Sequence, residues 1–433
     1  MAMVKPNRIA VKAMQDRKLK FTSLSHHLNT INLWQCYFEL KKDKACGIDN
    51  ITVESYGKDL NENLDCLVER LKSKRYQPQP VRRVYIPKAG KNEKRGLGIP
   101  AVEDKLVQLM LKKILESIYE ADFLSCSFGF RPNLSAHHAI KALNTSVMYK
   151  PTNYVVEVDI RKFFDNVSHY WLQRCLEERI KDKNFLFLIR KFLKSGVVEN
   201  GKHMPTDVGT PQGGVISPLL ANIYLHYVLD LWFEKKFKPH SKGYIELIRF
   251  CDDFVVCCES KADAEKFQIE LKQRLSKFGL SVAEDKTSML PFGRRAWQLS
   301  KKTKEKVGTF TFLGFTHYCA RSRYGKFMMV HKTSKQSLSR KLKEIKEWIK
   351  ATRNRLPLKE WLPILKAKLS GHYNYFGVSG NFRSLMKFYR SVYWLLFKWI
   401  NRRSQKKSMS FDRYHRYLEF NPLPQPRIRH VLY

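Results

Sequence analysis

The stretch Leu247-Ile-Arg-Phe-Cys-Asp-Asp-Phe-Val-Val-Cys257 decides how this chain is read. Two short runs rich in apolar residues, Leu247-Ile-Arg-Phe-Cys251 and Phe254-Val-Val-Cys257, flank the pair Asp252-Asp253. That is the pattern of two strands joined by a tight turn. An Asp pair between strands is most often an ordinary turn, because Asp tolerates turn backbone. Here the chain carries 80 Lys and Arg against 40 Asp and Glu, a formal net charge of +40, so carboxylates set among apolar residues need a reason. A further run, Tyr154-Val-Val-Glu-Val-Asp-Ile160, reads as a buried strand and carries Asp159 near its end.

Three carboxylates at the ends of buried strands suggest one point of convergence. Packed carboxylates repel one another unless a cation neutralises them, and hard oxygen ligands favour Mg²⁺, with Mn²⁺ as the alternative. A two-metal carboxylate site stabilises both the attacking and the leaving oxygen of an in-line phosphoryl transfer. The excess positive charge points to a polyanionic partner, nucleic acid first and an anionic membrane surface second. Together these readings suggest nucleotidyl transfer.

The rest of the chain bounds that reading. Its 433 residues allow two or three domains, and 43% hydrophobic with 13% aromatic residues exclude a disordered tail. No stretch approaches the roughly 20 uninterrupted apolar residues of a membrane span. The N-terminal Met1–Lys20 stretch lacks the apolar core of a secretory signal. Nine cysteines without a CxxC pair suggest reduced thiols, a cytoplasmic setting and no structural zinc. Residues 20–75 read as helical, 81–100 as a basic hairpin, and Val102–Tyr119 as an apolar helix. Helices are expected around 170–195, over Val215–Leu231 and over 262–278, with a strand pair or turn at Phe310–Phe315. Residues 331–433 hold 24 Lys and Arg against 5 Asp and Glu, interleaved with aromatics. Leu338, Leu342, Ile345 and Ile349 mark one face of an amphipathic helix there, so this end reads as a basic helical region.

These stretches, with others in the same order, carry a resemblance. Lys44-Ala-Cys-Gly-Ile-Asp49, Pro80-Val-Arg-Arg-Val-Tyr-Ile-Pro-Lys88 and Gly96-Leu-Gly-Ile-Pro-Ala-Val-Glu-Asp-Lys105 come first. Ser127-Phe-Gly-Phe-Arg-Pro132, Val158-Asp-Ile-Arg-Lys-Phe-Phe-Asp165 and Gly209-Thr-Pro-Gln-Gly-Gly214 follow, then Phe250-Cys-Asp-Asp253 and Phe312-Leu-Gly-Phe315. The chain resembles the reverse transcriptases of bacterial group II introns and their stand-alone relatives, from about residue 20 to the C-terminus. The resemblance implies an α+β right-hand polymerase, with fingers and palm of antiparallel sheet plus helices and an α-helical thumb. It implies an N-terminal extension and start of fingers over 1–75, fingers over 76–153, palm over 154–325 and a basic thumb or maturase-like region over 326–433.

Roles follow residue by residue from the same resemblance. Asp159, Asp252 and Asp253 match the metal-binding triad, with the Ile160 carbonyl as a further ligand. Phe164 matches the side chain that crowds a ribose 2′-OH, which leaves a structural role for Asp165. Gln212 would line the nucleotide pocket, and Lys88, Arg95 and Lys286 would meet the triphosphate. Phe312-Leu-Gly-Phe315 resembles a primer grip, and Leu369-Ser-Gly-His-Tyr-Asn-Tyr-Phe376 a maturase or thumb segment. The expected function is RNA-directed DNA synthesis in the bacterial cytoplasm, from an RNA template, a nucleic-acid primer and dNTPs, with no membrane partner. Departures exist: the family usually has Tyr-Ala-Asp-Asp where this chain has Phe250-Cys-Asp-Asp253, and neither CxxC…CxxC nor an HNH-like cluster occurs. The expected context is therefore a group II intron maturase and mobility protein without an endonuclease domain. The alternative is a stand-alone antiphage-defence enzyme copying an associated non-coding RNA. An RNA-templated RNA polymerase is a third reading, against which Phe164 argues.

Overall fold

The computed structural model describes residues 8–87, 94–199, 201–210, 213–402 and 409–432, with the backbone alone at Pro87 and Arg95. In chain order the strands are β1 (Val81–Pro87), β2 (Lys94–Ile99), β3 (Tyr154–Asp159), β4 (Val197–Glu199), β5 (Lys202–Met204) and β6 (Ile245–Phe250). They continue with β7 (Asp253–Cys258), β8 (Ser288–Pro291), β9 (Phe310–Phe312), β10 (Phe315–Arg321) and β11 (Phe327–Thr333).

The central sheet has the order β6-β7-β3-β8, antiparallel throughout. Strands covered on both faces read as continuous apolar runs, and β7 is one, with Phe254 to Cys258 all buried. Val155, Ile248, Val255 and Cys257 pack with Ala139, Leu143 and Val147 of the helix Ala136–Tyr149. Val156, Val158, Phe254 and Val256 turn the other way, into the main core with Phe267 and Leu271 of the helix Lys261–Lys277. Alternation therefore feeds two cores, one on each side of the sheet.

A second sheet, β2-β1-β4-β5, contains the expected basic hairpin, paired from Arg82↔Ile99 to Pro87↔Lys94. Residues 197–204 join it, since β4 runs parallel to β1 through Val81↔Val197 and Arg82↔Val198. The helix Val102–Tyr119 forms as expected. The apolar helix expected over Val215–Leu231 instead begins at Ser217, and at His226–Asp230 it widens into a π-helical turn. Such turns insert one residue into a helix and often sit at functional sites. Here the turn buries His226 and Asp230 together.

The resemblance implied a helical region from 326, but β11 comes first and pairs with β10 from Phe315↔Thr333 to Arg321↔Phe327. Phe327, Met329, His331 and Thr333 alternate into the interior, the period of two that marks a strand. Helices begin at Lys335: Lys335–Thr352, Leu358–Phe376, Phe382–Ile400 and Phe411–Phe420. They share their own core around Trp361, Leu369, Phe388, Leu396 and Tyr414, joined to the sheets by Phe315. Among the described residues all nine cysteines are free thiols, and no helix is long and apolar enough to cross a membrane.

Burial in the π-helical turn pushes the His226 imidazole down to about 4, with the cations Arg249, Arg131 and Lys235 adding to the effect against Asp230. A His whose folded value lies below its unfolded one stabilises above the unfolded value, and the contribution is lost as pH falls. His226→Gln has no such proton to bind. The urea midpoint of the wild type is expected to fall relative to that of His226→Gln between about pH 6.5 and pH 4. Parallel pH profiles for the two proteins would contradict this.

Candidate active site

β3 and β7 are antiparallel, and their register places Asp159 directly opposite Asp253. Five apolar-rich pairs behind them, starting at Tyr154↔Cys258, fix that register, because a one-residue slip would move every side chain from its own core to the differently shaped core on the other face. β6 pairs Phe250 with Asp253, so Cys251-Asp252 is a two-residue hairpin turn. Cys251 is buried and holds φ at 60°, a conformation usually left to glycine in such turns.

The support beneath that turn is electrostatic. Arg249 and Asp230 are fully buried and paired through two contacts, Nε to Oδ1 at 2.7 Å and Nη2 to Oδ2 at 2.5 Å. Arg249 also donates to the Cys251 carbonyl at 3.0 Å, to Asn222 Oδ1 at 3.1 Å and to Ser127 Oγ at 2.7 Å. Asn222 Nδ2 in turn donates to the Gly129 carbonyl at 2.6 Å. A Cβ on Gly129 would sit 2.5 Å from the Cys251 nitrogen, so only glycine lets this segment lie against the turn. One guanidinium thus ties together Ser127–Gly129, the apolar helix and the Asp252-Asp253 turn.

The front of the site is built by the link between β9 and β10. Leu313 N–H donates to the Asp253 carboxylate, and Thr311 N–H donates to Glu157. Tyr375, on the helix Leu358–Phe376, donates its hydroxyl to the Leu313 carbonyl at 3.0 Å. On the far side Ala283 N–H bonds the Asp159 carbonyl at 2.8 Å, which brings the Lys286 ammonium into an ion pair with the Asp159 carboxylate. That pair raises the Lys286 ammonium above its ordinary value.

Burial, with Asp252, Glu157 and Asp159 nearby, pushes Asp253 up to about 7 against the Leu313 N–H. Glu157 is likewise pushed up to about 7, by burial first and by Asp159. Among the described residues no three His, Cys, Asp or Glu side chains stand close enough as they are to hold a metal ion. The Lys286 ammonium supplies positive charge at Asp159 instead. The donor set still fits a hard divalent cation: these are oxygen ligands whose mutual repulsion and burial cost such an ion would relieve.

Other predicted residues lie around this centre. Ile160 is buried and bridges to Val282. Phe164 lies half-buried in the short helix Phe163–Asn166, and its carbonyl accepts from Thr210 N–H at 2.8 Å, so the Gly209-Thr210 segment docks on it. Gly213 passes the hairpin so closely that a Cβ would stand 2.4 Å from the Gly98 carbonyl oxygen. Lys88 and Gln212 lie outside the described residues, and Arg95 is described only as β2 backbone, opposite Ile86. Sequence reasoning did not single out Arg249, Asp230, Asn222 or Glu157. The available signal was an Arg and an Asp inside otherwise apolar runs, each needing a partner to be buried.

The family model of the reverse transcriptase (RNA-dependent DNA polymerase) matches residues 86–317. The group II intron-encoded protein LtrA of Lactococcus lactis subsp. cremoris is 39% identical over 229 residues, covering 52% of this chain and 38% of LtrA. Protein YkfC of Escherichia coli (strain K12) is 33% identical over 314 residues, 66% of this chain and 78% of YkfC. The putative COX1/OXI3 intron 2 protein of Saccharomyces cerevisiae is 38% identical over 207 residues, 46% of this chain and 22% of that protein. The match thus spans well under half the length of LtrA. The chain belongs to the reverse transcriptase family, in its group II intron type, and has that family's α+β fingers-and-palm fold.

Removing one partner of a buried ion pair leaves an uncompensated charge at a cost of about 3–5 kcal/mol. Arg249→Met is therefore expected to destabilise the protein by about that much in chemical denaturation. Arg249→Met combined with Asp230→Leu should recover most of the loss. If the single variant lost under about 1 kcal/mol, the pair would not hold the turn.

Proposed function

We propose that the chain is an RNA-directed DNA polymerase that adds a dNMP to a primer 3′-OH on an RNA template and releases pyrophosphate. The observation that carries this reading is the cross-strand pairing of Asp159 with Asp253, with Asp252 in the adjoining turn, in a chain of the reverse transcriptase family. Asp159, Asp252 and Asp253, with the Ile160 carbonyl, would hold Mg²⁺, or Mn²⁺ in its place. When bound, the divalent ion lowers the pKa of the attacking hydroxyl and neutralises charge on the leaving oxygen.

The remaining work belongs to the protein. Leu313 N–H fixes the orientation of Asp253. Lys286, which pairs with Asp159, would lend its charge to the triphosphate. Lys88 and Arg95, by their match to the family, would meet the phosphates, Arg95 with a fork suited to them. Phe164 crowds the ribose 2′-position and Gln212 lines the nucleotide pocket. Residues 1–75 act as the extension and start of fingers, 76–153 as fingers to whose hairpin β4 and β5 add, and the rest of 154–325 as palm. The four C-terminal helices act as a thumb whose basic and aromatic surface also meets structured RNA. Among the two cellular contexts, relatives named as intron proteins favour intron splicing and mobility over phage defence.

Primer extension on an RNA template tests the reading. Asp252→Ala with Asp253→Ala is expected to lower dNTP incorporation at least ~100-fold, and EDTA to abolish it in the wild type. Retained synthesis in the double variant would refute the site. Phe164→Val is expected to raise rNTP relative to dNTP incorporation; an unchanged ratio would remove Phe164 from the gate.

A further inference from the structure

Residues 209–215 run past the gate residue Phe164 and include Gln212. Side chains outside the proposed chemistry hold both ends of this segment. At the near end Val208 bridges to Ser168, Gly209 N–H donates to the Val167 carbonyl at 2.8 Å, and Thr210 N–H donates to the Phe164 carbonyl at 2.8 Å. His169 adds a side-chain bond, with Nε2 2.6 Å from the Gly209 carbonyl oxygen. A carbonyl only accepts, so Nε2 carries the proton and donates it, and Nδ1 is the bare nitrogen. Nδ1 is buried with no hydrogen-bond partner among the described residues, which leaves Gly209 as the polar anchor of the ring. His169 is the first residue of the helix His169–Glu177, with Ser168 as its N-cap. Side chains at that position lean back past the helix start, and the lean carries the imidazole to Gly209.

At the far end Val215 N–H donates to Oε1 of Gln108 at 2.8 Å. Gln108 is only 5% exposed and lies between Leu106, Val107 and Leu111 on the helix Val102–Tyr119. A side-chain amide in such apolar surroundings is costly unless bonded, so the Val215 bond is part of what allows Gln108 to be there. Between the two ends Gly213 presses against Gly98 of the basic hairpin. From Val215 the chain passes into the helix Ser217–Leu225, whose Asn222 accepts from Arg249. Residues 209–215 are thus a short strap with one anchor beside Phe164, one on the hairpin and one on the helix Val102–Tyr119.

We propose that His169 and Gln108 are positioning residues for nucleotide selection. Each pins one end of the strap, and together they set the gap between the strap and Phe164. Neither touches the nucleotide; both act through the backbone they hold. A binding side chain keeps a productive position only when its support is itself bonded in place, and a displacement of about 1 Å is enough to weaken it. This role rests on the reading of Phe164 and Gln212 as the nucleotide pocket.

Single-nucleotide primer extension on an RNA template tests the role with the full chain. His169→Ala loses the donor and Gln108→Met loses the acceptor. Each is expected to raise KM for dNTP about 3–10-fold, as for one lost hydrogen bond, with the effect on KM rather than on kcat. Each is also expected to lower the preference for dNTP over rNTP. His169→Gln, whose amide N–H reaches to a similar depth, should recover both values. Affinity for the template–primer duplex, read by fluorescence anisotropy, should stay at that of the wild type. Circular dichroism checks folding, and Gln108→Met carries the test should His169→Ala not fold. Wild-type KM and preference in the folded variants would overturn the role and leave the polymerase reading in place. So would a loss in kcat alone, or a His169→Gln variant as impaired as His169→Ala. A wild type that adds no dNTP would refute the polymerase reading itself, and the positioning role with it.

Discussion

The buried pair of Arg249 and Asp230 is the constraint on which the architecture of the carboxylate centre depends. A guanidinium in a strand with no water around it is costly unless every donor finds an acceptor. Here the acceptors come from a helix, a loop and the hairpin turn itself. Replacing such a pair by apolar residues often leaves stability intact. What an apolar replacement lacks is direction: it cannot hold the Cys251 carbonyl, and Cys251 occupies backbone space that glycine normally takes. The pair therefore acts on the conformation of the Asp252-Asp253 turn more than on net stability.

Above this support the chain gathers negative charge that it does not neutralise by itself. Asp253 and Glu157 both bind protons more tightly than ordinary carboxylates, because burial and their neighbours oppose ionisation. Lys286 answers at Asp159, and two backbone N–H groups answer at Asp253 and Glu157. This is a site under electrostatic load, set at the end of a rigid sheet. Its rigidity comes from the two cores that cover β3 and β7 on opposite faces.

The link from β9 to β10 connects this load to the C-terminal helices. Leu313 gives its N–H to Asp253 and takes the Tyr375 hydroxyl on its carbonyl. A single residue thus bonds to both β7 and the helix Leu358–Phe376. Movement of those helices has a short path to the carboxylates, through packed and hydrogen-bonded groups rather than through a flexible linker.

The sequence by itself determined much of this. The apolar runs around Asp159 and Asp252-Asp253 specify strands, and the order of motifs specifies the family, because both are local patterns with a fixed period or spacing. The helix Val102–Tyr119 and the basic hairpin were legible for the same reason. The helical region implied from residue 326 begins later, because Phe327–Thr333 alternates into the interior as a strand. Only the tertiary structure decided that Arg249 pairs with Asp230, that Leu313 reaches Asp253, that β4 joins β1 and that His169 donates to Gly209. Those contacts join residues far apart in the chain, and a buried charge or a ring nitrogen acquires its meaning from the partner that folding brings to it.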